Sequence, residues 1–290
     1  MTVAEPRMVQ ARVVQAGVVQ TRTGLDPATN ARALAEAVDR LAAQGADIVF
    51  TPEMCGLLDR NSKRLLETAR TEADEPTLAA LRAVAKARGI AVSIGSLAIR
   101  TGTGKLANRG FVVGPDGAIL ARYDKMHLFD VDLPNGERYR ESASFVAGGQ
   151  VQLASLPWGR LGLTICYDLR FPQLHLALAA AGAAVIAQPA AFTVPTGQAH
   201  WHVLLRARAI ETGAFVVAAA QCGLHEDGRE TFGHSLVIDP WGRVLLDMGE
   251  EPGEALVALD LQKVDDARAR IPNLRHARPL SEPAIAGNGA

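Results

Sequence analysis

Three residues whose side chains could do chemistry together, Cys166, Glu53 and Lys125, each follow a strand-like apolar run. A cysteine thiolate is a strong nucleophile, and a partly buried carboxylate can serve as a general acid or base. A fixed ammonium group can stabilise a developing oxyanion. The three types in this setting predict a nucleophilic catalytic site at the ends of three strands.

Cys166 ends the apolar run 161–165 and is followed by the polar run 167–170 and by Pro172, which is typical of a strand that turns into a helix. A helix N-terminus and a nearby Lys125 are expected to lower the pKa of its thiol. The alternative is a buried structural cysteine. The polar residues directly after Cys166 favour a cavity mouth over a sealed core, and therefore favour the nucleophile.

The identity of the general base stays open at this level. Glu53 follows Pro52 at the end of an apolar run, where partial burial is expected to raise its pKa into a useful range. Its alternative is a helix cap or a surface ion pair, and the alternative for Lys125 is a solvated lysine. His127 and His234 lie in loop-like contexts, and either could serve as the base for the cysteine.

The sequence favours no metal or cofactor. His200 and His202 are two apart in a helical pattern, so their side chains do not face each other and a metal site is not expected there. The phosphate-binding patterns GxxxxGK[ST] and GxGxxG are absent from the sequence, which gives nucleotide binding no support.

Composition restricts the partners and the compartment. The chain has 290 residues, 48% of them hydrophobic, and 30 Lys plus Arg against 31 Asp plus Glu, so no basic stripe for nucleic acid is expected. Its three cysteines form no CxxC pair, which favours the cytoplasm, and Cys55 and Cys222 are interpreted as structural. The N-terminus shows no secretory h-region, and the apolar segment 176–187 is too short to span a membrane.

Strands and helices alternate along the chain, interrupted by two hairpins, which predicts an α/β fold with mixed sheets. The stretch 126–150 lacks periodicity and is predicted to be a long surface loop. We expect one domain over 9–278, between a flexible N-terminus at 1–8 and a tail at 279–290. The predicted strands are 12–20, 47–51, 90–96, 110–113, 118–123, 161–165, 184–187, 214–220, 235–239, 243–247 and 254–260, and the predicted helices are 30–43, 77–88, 172–181 and 200–212.

The segments 51–53, 123–130 and 163–172 resemble, in order, the three signature motifs of the nitrilase superfamily of carbon–nitrogen hydrolases. The resemblance covers nearly the whole chain, from residue 9 to residue 279. It implies an αββα four-layer sandwich with two mixed β-sheets. It also implies an enzyme that uses no cofactor. It also implies a homodimer or a higher even-numbered homo-oligomer.

The same resemblance implies roles for individual residues. Glu53, Lys125 and Cys166 would form the catalytic triad, with Glu141 as a second glutamate that positions Lys125 and the substrate. Cys166 would attack an amide carbonyl while Lys125 and the backbone N–H of Tyr167 hold the oxyanion. The resemblance thereby selects Glu53 as the base.

Within the superfamily, segments 200–212 and 218–223 are similar to the deaminated glutathione amidase branch, with ω-amidase a close relative. An ω-amide of an α-keto acid carries a carboxylate, which needs a cation in the pocket. Arg170 is the first candidate for that cation. The alternative is that Arg170 forms a salt bridge with Asp168 or Glu141.

Other functions remain open at this stage. A broader aliphatic amidase or an N-carbamoyl amino acid hydrolase would use the same triad on other small-molecule amides, and a nitrilase would act on nitriles. A non-catalytic interaction protein or a thiol redox sensor built on Cys166 is a different class. The presence of all four carried-over side chains favours an enzyme.

Overall fold

The computed structural model describes residues 13–133 and 136–282, which contain the predicted alternation of strands and helices. The strands are β1 (Val13–Gln20), β2 (Ile48–Phe50), β3 (Ala91–Arg100), β4 (Leu106–Val113), β5 (Ile119–Asp124), β6 (Asp130–Asp132), β7 (Arg138–Arg140), β8 (Phe145–Val146), β9 (Leu153–Leu156), β10 (Gly159–Leu163), β11 (Ala183–Ala187), β12 (Phe215–Ala218), β13 (Cys222–Leu224), β14 (Glu230–Phe232), β15 (Leu236–Ile238), β16 (Val244–Asp247) and β17 (Gly253–Asp260). The helices are α1 (Pro27–Ala43), α2 (Ser62–Thr68), α3 (Pro76–Arg88), α4 (Pro172–Ala180), α5 (Val194–Thr212), α6 (Gln262–Arg270) and α7 (Asn273–His276).

Two mixed sheets form the centre of the fold. The first has the order β17-β1-β2-β3-β4-β5, with β8 beside β4, and the second has the order β16-β15-β12-β11-β10-β9. Each contains three neighbouring parallel strands, β1-β2-β3 and β10-β11-β12, flanked by antiparallel ones. Their facing sides share one apolar core, while α1 and α3 pack on the first sheet and α4 and α5 on the second. The predicted αββα sandwich is confirmed.

Local signals explain where α1 begins. Asp26 is its N-cap, and the carboxylate accepts hydrogen bonds from two backbone N–H groups of the first turn, while Pro27 supplies a preset φ at the first position. Leu34, Val38 and Leu41 recur at helical spacing and are all buried. The cap places the helix start three residues before the predicted start at residue 30.

The largest departure from the predicted elements is the segment 126–150. It was expected to be an irregular loop, but it contains the hairpin β6–β7, a short 3-10 helix (Glu141–Ala143) and β8. One guanidinium nitrogen of Arg140, Nη2, donates to both carboxylate oxygens of Asp132 across the hairpin, at 2.8 and 2.9 Å. These strands are only two or three residues long and mostly exposed, so they leave no periodic pattern in the sequence.

The apolar segment 176–187 is divided as predicted. Helix α4 ends at Ala180, Gly182 adopts a left-handed φ of 88°, and β11 follows. None of the described helices is long and apolar enough to cross a membrane. The flexible N-terminus predicted at 1–8 lies outside the described residues, and so does the predicted tail beyond residue 282.

The loop that carries Glu53 is fixed to a bulge in β3. The N–H of Gly95 donates to the Thr51 hydroxyl at 3.1 Å, and the N–H of Ser96 donates to the Pro52 carbonyl at 3.2 Å. A Cβ atom on Gly95 would collide with the backbone carbonyl oxygens of Thr51 and Pro52. Only glycine permits this close approach of the two backbones.

We therefore expect Gly95→Ala to lower the free energy of unfolding by about 1–3 kcal/mol, because the added methyl group meets backbone that cannot rotate away. Urea denaturation followed by circular dichroism measures this. Gly102→Ala is the matched control, since nothing lies within 4 Å of its Cβ position. Its effect should stay within about 0.5 kcal/mol. Equal effects of the two substitutions would contradict the packing argument.

Candidate active site

Four of the six predicted site residues line one cavity of about 390 Å³: Glu53, Lys125, Glu141 and Cys166. The Lys125 Nζ atom lies 2.9 Å from Glu53 Oε1 and 2.9 Å from Glu141 Oε2. The Lys125 side chain is only 2% exposed, so this ammonium group sits between two carboxylates with almost no water around it. The arrangement couples the ionisation of all three groups.

Each carboxylate is held by backbone as well as by the ammonium group. The loop after β2 carries Glu53, whose Oε2 accepts the N–H of Ala191 at 2.8 Å. Glu141 lies in the 3-10 helix within 126–150, and its Oε2 accepts the N–H of Phe129 at 2.7 Å. Lys125 directly follows β5, so three separate segments meet at this point.

Cys166 lies at the turn that follows β10, in a left-handed conformation with a φ of 48°. A non-glycine residue in this region costs about 1–3 kcal/mol and persists only where its neighbours hold it. Its N–H donates to the Pro189 carbonyl at 2.8 Å, and its carbonyl accepts from Gln188 Nε2 at 3.2 Å. The turn places the thiol in the same cavity as Glu53, whose charge acts on the pKa of the thiol.

Asp168 is fully buried and holds this turn in place. Its Oδ2 accepts the Ile165 N–H at 2.8 Å and the Tyr123 hydroxyl at 2.7 Å, which joins the turn to β5. Its Oδ1 lies 2.6 Å from Nδ1 of His127, whose ring stacks on Phe171 at 3.5 Å between centroids. His127 is therefore engaged with Asp168 and does not line the cavity.

The other histidines considered as bases or metal ligands also lie outside the cavity. His234 Nδ1 and His202 Nε2 contact the two oxygens of Asp247 at 2.8 and 2.9 Å. Together the three could offer a cation two nitrogens and one oxygen. The partners of His202 in this group, His234 and Asp247, lie outside its helix. Its helix neighbour His200 contacts Arg170 instead. Glu53 is the base candidate that shares the cavity with Cys166 and acts on the pKa of its thiol.

The pKa shifts describe the resting state of the site, and they reverse two of our expectations. Burial raises the pKa of Glu53, but the attraction of Lys125 outweighs it, so the pKa lies below its ordinary value. Burial lowers the pKa of Lys125, and the two carboxylates more than compensate, so its pKa lies well above its ordinary value. Burial and the Glu53 charge raise the pKa of Cys166 well above its ordinary value, although Lys125 opposes this. The resting site holds a carboxylate, an ammonium group and a neutral thiol.

This combination can carry out general-base-assisted nucleophilic attack. The ionised Glu53 can take the thiol proton as the sulfur bonds to an electrophilic carbon. The Lys125 ammonium group lines the same cavity and can stabilise the negative charge that develops on the oxygen of that carbon. The expectation of a lowered thiol pKa was wrong, since burial and Glu53 raise the pKa of Cys166.

Sequence reasoning missed Asn108. Its Nδ2 donates to Glu53 Oε1 at 2.9 Å and to Glu141 Oε1 at 3.0 Å, which reduces the repulsion between the two carboxylates. Its backbone carbonyl accepts the Lys125 N–H at 3.0 Å, and its buried Oδ1 has no hydrogen-bond partner among the described residues. The available signal was a polar residue inside the otherwise apolar start of β4.

The two predicted substrate-binding residues lie beside the cavity, not among the residues that line it. The Tyr167 ring meets Phe129 edge-on at 5.1 Å between centroids. The Arg170 guanidinium contacts His200 Nδ1 at 3.4 Å and lies 5.4 Å from the Phe192 ring centroid. In the described part of the chain it pairs with neither Asp168 nor Glu141. This placement gives no support to Arg170 as the ligand of a substrate carboxylate.

The other two cysteines lie in surroundings that suppress reactivity. Burial raises the pKa of the Cys55 thiol to about 12 and that of the Cys222 thiol to about 11. Neither lines the cavity. Both placements are consistent with the structural roles expected for them.

Comparisons with known proteins agree with this architecture. Residues 11–269 match the model of the carbon–nitrogen hydrolase family. Deaminated glutathione amidase from Synechocystis sp. is 41% identical over 246 residues, which are 83% of this chain and 89% of that protein. The human protein of that name is 39% identical over 267 residues, 90% of this chain and 81% of that protein. The chain belongs to the carbon–nitrogen hydrolase family, which confirms the resemblance.

Solved structures show the same fold. The crystal structure of the Caenorhabditis elegans NitFhit protein superimposes with a TM-score of 0.87 and 35% identity, over 93% of this chain and 66% of that longer chain. A structure of the amidase from Nesterenkonia sp. AN1, in which acrylamide has added to the active-site cysteine, superimposes with a TM-score of 0.75 at 30% identity. It covers 90% of this chain and 98% of that one.

The pKa directions predict the acid side of the pH profile. Because the pKa of Glu53 lies below its ordinary value of 4.5, the base stays ionised until the pH falls below that value. We therefore expect kcat/KM for an amide substrate to change by less than about twofold between about pH 8 and about pH 6. Circular dichroism at each pH checks that the protein stays folded.

A histidine base would give a different profile, with activity lost as the pH falls through about 6.5. His127→Gln is the matched control, since it removes the imidazole that contacts Asp168 in the Cys166 turn. It should leave the shape of the profile unchanged. An inflection near neutral pH that disappears in this variant would overturn the assignment of Glu53 as the base.

Proposed function

We propose that this protein is a metal-free amidase that hydrolyses an ω-amide of an α-keto acid, with deaminated glutathione as its substrate. The observation that carries the proposal is the buried cluster of Glu53, Lys125, Glu141 and Cys166 in one cavity. The names of the Synechocystis and human relatives support the choice of substrate. The active-site cysteine of the Nesterenkonia amidase supports the choice of nucleophile.

The geometry suggests the first half of the reaction. The Cys166 sulfur bonds to the amide carbon while Glu53 takes the thiol proton, and the carbonyl oxygen becomes an oxyanion. Lys125 and the Tyr167 N–H stabilise that oxyanion. Glu53 then gives its proton to the leaving amine as the carbon–nitrogen bond breaks, which leaves a thioester on Cys166 and the carboxylate restored.

The second half repeats the proton transfers with water. Glu53 takes a proton from water as the water oxygen bonds to the thioester carbon, and the second tetrahedral intermediate forms. Collapse of this intermediate breaks the carbon–sulfur bond, and the proton returns to the Cys166 sulfur. The products are the free keto acid and the resting thiol, so no metal or cofactor is needed for the balance.

Hydrolysis assays on four substrates test the function: deaminated glutathione, α-ketoglutaramate, a simple aliphatic amide and an N-carbamoyl amino acid. We expect deaminated glutathione to give the highest kcat/KM. Cys166→Ala should lower kcat by about 10⁴-fold or more, because the covalent route is lost. Cys222→Ala, the matched control at a cysteine outside the cavity, should keep its activity.

Each alternative result would indicate a different function. A higher kcat/KM on α-ketoglutaramate would indicate an ω-amidase, and preference for either remaining substrate a broader amidase or a carbamoyl hydrolase. No hydrolysis of any of them, with an intact fold, would favour an interaction protein or redox sensor.

We also propose one catalytic domain over residues 9–278, working in the cytoplasm as a homodimer or a higher even-numbered homo-oligomer. Helix α5 exposes Val203 and Ile210, which are 68% and 51% accessible and lie two turns apart on the same face. An apolar stripe on an outer helix layer is suited to burial against a second copy of the chain. The three free cysteines are consistent with a reducing compartment.

The double variant Val203→Glu/Ile210→Glu is expected to be monomeric, because it places charges at the centre of the proposed contact. Sedimentation equilibrium at micromolar concentration measures the mass. Leu120→Glu, at a 46% exposed position on β5 in the other sheet, should leave the assembly intact. A monomeric wild type, or an unchanged mass for the double variant, would contradict the proposed interface.

A further inference from the structure

A buried carboxylate outside the catalytic cluster joins two loops at the wall of the cavity. The side chain of Asp227 is fully buried, and its Oδ2 accepts the N–H of Arg60 at 2.7 Å. Its Oδ1 accepts the N–H of Arg229 at 2.8 Å. Asp227 therefore fixes the backbone of two arginines next to each other, one before α2 and one in the hairpin β13–β14. Both arginines line the cavity that contains Cys166.

The hairpin that carries Arg229 is anchored on both sides. Buried His225 contacts the Thr23 carbonyl through Nδ1 at 3.0 Å and the Thr231 hydroxyl through Nε2 at 2.8 Å. Its N–H donates to the Arg229 carbonyl at 2.8 Å. The backbone position of Arg229 is thus set by the fold and does not depend on a ligand.

Among the described residues, the guanidinium group of Arg229 has one carboxylate partner, and that partner lies beyond hydrogen-bond distance. Its Nε is buried without a hydrogen-bond partner in the described structure, and the carboxylate paired with it, that of Asp227, lies 3.8 Å away. The side chain as a whole is 21% exposed. A buried charged donor without an acceptor is costly, so this group is suited to bind an anion that enters the cavity.

Among the described cations that line the cavity, Arg229 and Arg60 are the two that no carboxylate holds within hydrogen-bond distance. Arg138 and Arg140 both pair with Asp132. Lys125 pairs with its two glutamates and, in the proposed reaction, faces the oxyanion and not the carboxylate of the keto acid. The Arg60 guanidinium forms no hydrogen bond or ion pair within residues 13–133 and 136–282.

We propose that Arg229, assisted by Arg60, binds the carboxylate of the α-keto acid half of the substrate, the role first assigned to Arg170. The planar guanidinium of arginine matches a carboxylate in a two-pronged hydrogen bond. The keto acid half stays on Cys166 as the thioester after the amine has left, so its carboxylate needs a partner in both halves of the reaction. This inference rests on the proposed function.

Steady-state kinetics of Arg229→Gln test the proposal on three substrates: deaminated glutathione, α-ketoglutaramate and a neutral aliphatic amide of similar length. We expect KM for both keto acid amides to rise about 10–100-fold with a smaller change in kcat, because a charged hydrogen bond is lost. The neutral amide should keep its kcat/KM, which also shows that the variant is folded. Arg229→Lys should fall between wild type and Arg229→Gln.

The control for the removed charge is Arg122→Gln, at an arginine outside the cavity that pairs with Glu72. It should leave all three substrates unaffected. An equal loss on the neutral amide would show that Arg229 acts through the fold and would overturn the proposal. A loss on deaminated glutathione without one on α-ketoglutaramate would assign the arginine to the peptide half, and would overturn it as well.

Calorimetric titration of α-ketoglutarate, the keto acid product, separates this inference from the proposed function. We expect Cys166→Ala to bind α-ketoglutarate, and the double variant Cys166→Ala/Arg229→Gln to bind it at least about 10-fold more weakly. Hydrolysis of keto acid amides by wild type, with equal binding by the two variants, would overturn only the role of Arg229. If wild type hydrolyses no keto acid amide and Cys166→Ala does not bind α-ketoglutarate, the proposed function and the role of Arg229 are both overturned.

Discussion

The structure depends on one buried ammonium group held between two carboxylates. Taking each of these ions out of water costs several kcal/mol, and the attraction between them offsets this only with good geometry and further hydrogen bonds. Lys125 meets Glu53 and Glu141 at 2.9 Å each, and the Asn108 amide donates to both carboxylates. The cluster is therefore stable only if β4, the end of β5, the loop after β2 and the 3-10 helix within 126–150 all keep their positions.

The two packed sheets supply that rigidity from opposite sides. Glu53 and Lys125 come from the first sheet, whereas Cys166 comes from the turn after β10 in the second. Asp168 joins the two, since it binds the Ile165 N–H beside the nucleophile and the Tyr123 hydroxyl on β5. The left-handed φ of Cys166 persists because the hydrogen bonds of the surrounding residues hold the turn in this conformation.

The sequence predicted the features that depend on local residue patterns. It did not predict the features that depend on contacts between residues far apart in the chain. Apolar runs placed Glu53, Lys125 and Cys166 at strand ends, and motif order indicated the sandwich. The pKa directions of Glu53 and Cys166 could not be predicted, because the first follows from the attraction of Lys125 and the second from burial and the charge of Glu53, which only the folded chain defines. Arg170 was chosen for its nearness in sequence, yet Arg229, some sixty residues further on, lines the cavity. The Asp-Gly pair at 227–228 was an unused signal for the hairpin that carries it.

The resting charge of the cluster limits how the nucleophile can be activated. A thiolate at Cys166 would be a buried ion beside the negative charge of Glu53, and burial together with that charge raises the pKa of the thiol. The proton must then leave the sulfur as the sulfur bonds to carbon, so that negative charge moves to an oxygen facing Lys125. In the proposed reaction, Glu53 returns this proton to the leaving amine, and the net charge of the cluster stays constant through each half of the reaction. Burial, which makes the ions costly, is thus also what makes concerted proton transfer the favoured route.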